Sequence, residues 1–285
     1  MKYAFYPGCT YESAAGYKES VNAVNQVLGI KLDEIPDWNC CGATTHAGID
    51  ELESLLLGAR VMALSQRRGY DHVVTGCNAC YTTLRKVHKK LASNPAALAV
   101  VNRRLKSAGL AFDPTAMTIR HHLEILVNDV DPSVWKSKIV RDFKDVKVAG
   151  YYGCQLTRPW NDLRPQNILE RLIALAGFTP VDHSARTLCC GAALAVPYEA
   201  DTRPLIKRII TGVTMAGADL MTTVCPLCQL NMDQGQTGLA NPDPKLAVTY
   251  YSQLAGLGLG ISPDRLALDK LLIPVNKELV PTHEN

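Results

Sequence analysis

Short apolar runs alternate with amphipathic stripes along most of the chain, and turn residues separate them. Tyr3–Tyr6 reads as a buried strand ending at Pro7-Gly8. From Glu12 to Leu28 a helical stripe runs through Val21, Val24 and Leu28, with Gly29 as its stop. Lys31–Ile35 predicts a second strand, closed by Pro36. A helix is predicted from about Asp50 to Arg68, with Leu52, Leu55, Leu56, Ala59 and Met62 at helical spacing and Gly69 at its end. His72-Val73-Val74 predicts a third strand, followed by a helix through Leu84, Val87 and Leu91. This alternation of strand and helix is that of an α/β unit with a mainly parallel sheet.

The same order returns in the second half. Val146–Tyr152 matches the opening strand and Asn161–Ala176 the first helix. Thr179–Asp182, Glu199–Ala216 and Leu220–Val224 match the elements that follow. Residues 2–92 and 147–236 therefore read as a duplicated unit with pseudo-two-fold symmetry. The expected organisation is a first repeat over 1–94, a helical connector over 95–145 and a second repeat over 146–285. Ile119–Val127 and Val134–Val140 are the clearest helical pieces of the connector, which also carries His121-His122. In the tail, Leu246–Tyr251 predicts a strand and Pro263–Leu272 a helix.

Composition narrows the function classes. Hydrophobic residues make up 47% and charged residues 20%, as in a globular protein. A net charge of +3, without basic runs or basic–aromatic patches, argues against nucleic acid as a partner. Pro7 breaks the opening apolar run, so no signal peptide is expected, and no window is apolar enough to predict a membrane span. A cytoplasmic protein is expected, where clustered thiols bind metal more often than they form disulfides.

The chemistry lies in the cysteines. Cys9, Cys40, Cys41, Cys77 and Cys80 follow the first three strands, and Cys154, Cys189, Cys190, Cys225 and Cys228 repeat the series. Steps between successive members are 31, 1, 36 and 3 in the first copy and 35, 1, 35 and 3 in the second. All ten cysteines are used. Each falls just after a strand, where open parallel sheets place ligands. Thiolates select zinc, copper(I) or iron–sulfur clusters. Tetrahedral zinc takes four ligands and so does a cubane 4Fe–4S cluster, so five per copy exceeds both. Three readings stay open on spacing alone: an uncommon cluster with five thiolates, a four-ligand cluster beside a redox-active thiol, or zinc with a spare cysteine. Disulfides would leave one odd cysteine in each half. Adjacent cysteines ordinarily point apart, so Cys40 and Cys41 can share a site only with an extended ligand or an unusual backbone.

The residues themselves carry a resemblance. Tyr6-Pro7-Gly8-Cys9-Thr10, Asn39-Cys40-Cys41-Gly42 and Gly76-Cys77-Asn78-Ala79-Cys80, with Cys189-Cys190-Gly191-Ala192 and Cys225-Pro226-Leu227-Cys228-Gln229, look like the duplicated cysteine-rich CCG domain. The chain as a whole resembles the B subunit of heterodisulfide reductase, including bacterial and sulfur-oxidising relatives. That resemblance implies two noncubane 4Fe–4S clusters. Cys9, Cys40, Cys41, Cys77 and Cys80 would hold one cluster, and Cys154, Cys189, Cys190, Cys225 and Cys228 the other.

The resemblance also implies reductive cleavage of a disulfide, or the reverse, with the clusters facing each other across the two halves. Electrons would come from two further members of the complex, one ferredoxin-type and one flavin-carrying. The disulfide or thiol substrate can be a small molecule or protein-bound. No Gly-x-Gly-x-x-Gly fingerprint follows a strand, so no resident flavin or NAD is expected. CCG domains also occur in thiol:fumarate reductase and in lactate- or glycolate-oxidising complexes, where a relay of electrons is the competing role. His46 and His183 are candidate proton donors, and Arg158 and Arg186 candidate anchors for an anionic substrate. Trp38 and Trp160 read as packing residues, and Pro226 as shaping its turn.

Overall fold

The computed structural model describes residues 1–43, 46–141, 143–160, 163, 166–239 and 245–276, leaving out the side chains of residues 46 and 47. Packing divides the chain into two compact units. The first comprises Met1–Tyr11 and Ile30–His122, and the second Glu12–Gly29 and Leu123 onward. The repeat boundaries at 94 and 146 divide the sequence, whereas these units divide the packing.

Each unit is built on a four-stranded, all-parallel sheet. In the first, β1 (Lys2–Phe5), β2 (Lys31–Glu34), β3 (His72–Thr75) and β4 (Thr118–His121) lie in the order β2-β1-β3-β4. Its helices are α1 (Cys9–Ser13, which runs two residues into the second unit), α3 (His46–Ile49), α4 (Glu51–Arg67), α5 (Asn78–Ser93) and α6 (Pro95–Leu105), with α2 (Tyr17–Leu28) lying in the second unit. The Asp50 side chain accepts the Glu53 N–H at 3.0 Å and so caps α4. Asn94 does the same for α6 from the Ala97 N–H, with Pro95 as its first residue.

The second unit opens with α7 (His122–Glu124, its first residue still in the first unit) and α8 (Pro132–Lys138). Strands β5 (Phe143–Tyr151), β6 (Phe178–Val181), β7 (Leu220–Thr223) and β8 (Val248–Tyr250) lie in the matching order β6-β5-β7-β8. Helices α9 (Ile168–Leu175), α10 (Glu199–Met215), α11 (Pro226–Gly235) and α12 (Tyr251–Gly258) complete it. Phe143 and Phe178 are paired in register and stack with centroids 4.5 Å apart. The fold is thus the expected α/β class with two similar, Rossmann-like units.

Four local expectations are corrected. Thr118–His121 is a strand, not the start of a connector helix. Its β-branched Thr118 and Ile119 pair with His72 and Val73 at the open edge of β3, and tertiary pairing overrides a weak helical pattern. Pro263–Leu272 is not a helix; only Leu268–Lys270 forms a 3₁₀ turn there. The tail helix is instead α12, all eight of whose residues are buried. A helix buried all round has no polar face and leaves no amphipathic period to read. The stripe from Glu12 to Leu28 is two helices with a turn at residues 14–16. The helix expected from Asn161 begins at Ile168 among the described residues.

Within the second unit α2 packs against α12. The Tyr17 and Tyr251 hydroxyls lie 3.3 Å apart, and Ser20 Oγ meets Ser252 Oγ at 2.8 Å. Gly258 lies so close to the end of α9 that a Cβ there would come within 2.1 Å of the Ala176 carbonyl oxygen. Gly258→Ala should therefore lower stability by about 2 kcal/mol or more through overpacking, read as a drop in denaturation midpoint. An unchanged midpoint would contradict this packing.

His121 and His122 are fully buried. Burial lowers the pKa of His121 to about 4, against the opposing charge of Cys77, and that of His122 to about 3, where His121 adds repulsion. Unfolded histidine binds its proton near pH 6.5, so between there and pH 4 the unfolded chain holds more protons than the folded one. Stability should therefore fall as pH drops through that window, by about 1.4 kcal/mol per pH unit for each histidine. Urea midpoints from pH 7 to 5 should show this slope, flattened in His122→Gln; a flat wild-type profile would contradict it.

Candidate metal centres

The two cysteine quintets are built alike, each within one packing unit. Loops leaving the carboxyl ends of three neighbouring strands supply the thiols. In the first unit the β1 loop carries Cys9, the β2 loop Cys40 and Cys41, and the β3 loop Cys77 with Cys80. In the second, β5, β6 and β7 lead to Cys154, to Cys189 and Cys190, and to Cys225 with Cys228. β1 and β5 are the strands at which the chain order reverses, the switch point where open α/β sheets bind ligands.

The Cys-x-x-Cys pairs open helices. Cys77 and Cys225 are the extended N-cap residues of α5 and α11, and Cys80 and Cys228 sit in the first turn. Free amide groups and the helix dipole favour thiolates there. Pro226 takes the first helical position, where a missing N–H costs nothing.

Cys41, Cys77 and Cys80 are buried, as are Cys190, Cys225 and Cys228. Cys9, Cys40 and Cys189 are exposed and Cys154 is half-buried. Cys41 Sγ lies 3.5 Å from Cys80 Sγ, Cys190 Sγ 3.4 Å from Cys228 Sγ, and Cys154 Sγ 3.7 Å from Cys189 Sγ. None of the ten is in a disulfide. Among the described residues no three His, Cys, Asp or Glu side chains surround a single-ion position.

Crowded sulfurs shift one another. Thiol hydrogen bonds from Cys40 and then Cys80 pull Cys41 down to about 4, and Cys228 pulls Cys190 down to about 7. Their partners move up: Cys40, Cys80 and Cys228 hold their protons on these neighbours, and burial adds to the shift. Burial and then the Cys189 charge push Cys154 up to about 11. Cys41 and Cys190 are thus favoured as anions beside Cys40, Cys80 and Cys228, which hold their protons. A cation among the sulfurs would release those protons, since a coordinated thiol is deprotonated.

Cys40 is exposed and Cys41 buried, yet their thiols hydrogen-bond to each other, so this adjacent pair converges instead of pointing apart. The backbone around them is unusual in the same way twice. Gly42 and Gly191, directly after each pair, have φ of 75° and 82°. Gly8 and Gly153, directly before the first cysteine of each copy, have φ of 69° and 70°. These are left-handed conformations open mainly to glycine. Tyr6, fully buried, donates its hydroxyl to the Asn39 carbonyl at 2.9 Å, and Tyr151 to the Leu188 carbonyl at 2.5 Å. Both acceptors immediately precede the paired cysteines. Burial, then the charges of Cys80, Cys41, Cys40 and Cys9, raise the Tyr6 pKa, so this ring stands among four of the five thiols. Tyr151 stands likewise among Cys228, Cys190, Cys154 and Cys225. Sequence reading passed over both tyrosines, although each lies three residues before the first cysteine of its copy.

His183 is buried, its Nε2–H donating to the Gly150 carbonyl at 3.0 Å, and burial lowers its pKa. Arg186 pairs with Glu170 at 3.3 Å and with Asp182. Its carbonyl accepts the amides of Tyr152 and Gly153, directly after β5. Arg158 Nη2 donates to the Thr187 carbonyl at 3.2 Å, close to Cys189 in the chain. The His46 side chain lies outside the described residues. Trp38 packs edge-on against Tyr6 at 5.7 Å, in keeping with a packing role. His121, in register with Thr75 at the end of β4, feels the charge of Cys77. Tyr250 holds the corresponding place beside Thr223 and Cys225. A cavity of about 560 Å³ between α10 and α11 includes Leu227, Asn231, Thr202 and Arg203 in its lining. Asn231 also donates to the Cys190 carbonyl at 2.7 Å.

Fold and site together define a duplicated α/β protein with one cysteine quintet in each unit. The model of the cysteine-rich CCG domain matches residues 3–85 and again 148–233, and the chain belongs to that family. It is 32% identical over 285 residues to the 8-methylmenaquinol:fumarate reductase membrane anchor subunit of Wolinella succinogenes, covering 97% of this chain and 98% of that one. It is 30% identical to the B subunit of the ferredoxin/F(420)H(2)-dependent CoB-CoM heterodisulfide reductase of Methanosarcina acetivorans, covering 94% and 93%. A hypothetical protein from Helicobacter pylori shares the fold, with a TM-score of 0.76 at 15% identity over 97% of this chain and 52% of that one.

A Cβ at Gly8 would sit 2.9 Å from Cys80 Sγ, whereas at Gly29, with the same φ of 69°, nothing lies within 4 Å. Left-handed strain of about 1–2 kcal/mol is common to both. Gly8→Ala should therefore destabilise the protein more than Gly29→Ala in chemical denaturation, the excess reporting the close approach to Cys80. Equal losses would contradict this geometry.

Proposed function

We propose that the protein is the catalytic iron–sulfur subunit of a heterodisulfide reductase-like complex, reducing a disulfide to two thiols or running the reverse. The observation that carries this is the allotment of all ten cysteines to two sulfur-only quintets, one per unit, at the ligand-binding edge of each sheet. Sulfur ligands without nitrogen or oxygen suit iron–sulfur clusters. Five in each set suit a noncubane 4Fe–4S cluster, with Cys9, Cys40, Cys41, Cys77 and Cys80 holding one and Cys154, Cys189, Cys190, Cys225 and Cys228 the other. When bound, such clusters supply single electrons and an iron site for a departing sulfur.

The overall change adds two electrons and two protons to R–S–S–R′ and gives RSH and R′SH. The chain's own part is to hold the thiols and accommodate charge. Three thiols of each quintet are buried while the other two reach solvent, and the N-termini of α5 and α11 stabilise negative sulfur. Arg158, near Cys189, is the better placed of the two arginine candidates for an anionic substrate, because Arg186 already serves Glu170 and Asp182. A buried His183 with lowered pKa is neutral at pH 7 and serves better to hold the Gly150 carbonyl than to give up a proton. His46 stays the other proton-donor candidate.

No described helix is long and apolar enough to cross a membrane. We place the chain in the cytoplasm, where two partner proteins, one ferredoxin-type and one flavin-carrying, deliver its electrons. The fumarate reductase relative supports a second reading, an electron-relay role in a complex of that kind. Paramagnetic resonance of anaerobically purified protein separates the two: a disulfide should change the cluster signals if the chain is catalytic and leave them unchanged if it is a relay. Cys41→Ala should abolish one cluster's signal and Cys190→Ala the other's; loss of neither would refute the ligand assignment.

A further inference from the structure

We infer that Tyr6 and Tyr151 are positioning residues, each fixing through its hydroxyl the peptide that lets two adjacent cysteines serve one cluster; this rests on the reading that each quintet holds iron and sulfur. Two neighbouring side chains diverge unless the backbone between them is held in a particular turn. Here both ends of the turn are fixed. After the pair, Gly42 and Gly191 supply left-handed backbone. Before it, the tyrosine hydroxyl pins the carbonyl of Asn39 at 2.9 Å or of Leu188 at 2.5 Å. That carbonyl belongs to the peptide leading into Cys40 or Cys189, the exposed member of each pair.

The contact occurs independently in both units although its surroundings differ. Asn39 has its own side-chain bonds to the Leu57 carbonyl and to Arg60, whereas Leu188 has no polar side chain. The ring next to Tyr6 is Trp38; Tyr152, which follows Tyr151, instead donates to Glu170. What the two sites share is a fully buried ring beside the thiols and a hydroxyl on the same backbone atom. Because the acceptor is main chain, the residue at 39 or 188 can change while the clamp persists. A tyrosine serving only as filler would not need its hydroxyl aimed there in both copies.

The test uses Tyr6→Phe and Tyr151→Phe, which keep the ring and remove the hydroxyl. Each variant is its partner's control within one chain. Net loss of one hydrogen bond corresponds to iron release to a chelator about two- to tenfold faster. That release should come from one cluster per variant, with an altered resonance spectrum of that cluster and no change in the other. Amide exchange at residues 40–42 in Tyr6→Phe, and at 189–191 in Tyr151→Phe, should speed up even in protein stripped of iron. Wild-type release rates, spectra and exchange in both variants would overturn the inference, as would equal changes at both clusters. Wild-type protein that binds no iron while exchange still responds would sink the cluster reading and leave the clamp as a feature of the bare turn.

Discussion

Adjacent side chains on an extended backbone face opposite ways, and that constraint shapes everything around the cysteines. A site that draws on Cys40 with Cys41, or on Cys189 with Cys190, must bend the chain sharply at the pair and keep it bent. The structure meets this with three parallel strands whose loops leave from one edge, a left-handed glycine after each pair, and a buried tyrosine hydroxyl before it. A glycine ahead of the first cysteine then lets the β1 loop close down on Cys80.

The buried thiols are also core residues. Cys190, Cys225 and Cys228 pack in one hydrophobic cluster with Tyr151, Ile206, Ile209, Val213, Met221 and Val248. Fold and site are therefore coupled: the contacts that bury the sulfurs also hold α10 and α11 on the sheet. Buried anionic sulfur is costly without a partner charge. The protein limits that cost by hydrogen bonding among thiols, which leaves Cys41 and Cys190 low and their neighbours high.

Much of this was legible in the sequence because the signals were local. Strand ends such as those before Gly76-Cys77 and Gly153-Cys154, and amphipathic helices such as α4 and α10, appear within a residue or two of where periodicity places them. The repeat gave the pairing of elements and the two quintets. What escaped depends on contacts distant in sequence. β4 exists because β3 offers it an edge, α12 is hidden by complete burial, and α2 belongs with α12 through Tyr17 and Ser20, more than 230 positions away in the chain. Tyr6 and Tyr151 were visible as letters at matching places, but a hydroxyl's target on a backbone carbonyl leaves no side-chain signature at 39 or 188.

Two quintets of sulfur at two sheet edges make one stoichiometric demand, and elemental analysis addresses it most directly. Chains purified without oxygen should carry about eight iron atoms and about eight acid-labile sulfides each, two four-iron clusters per chain. About two zinc ions per chain with no iron or labile sulfide would contradict the account.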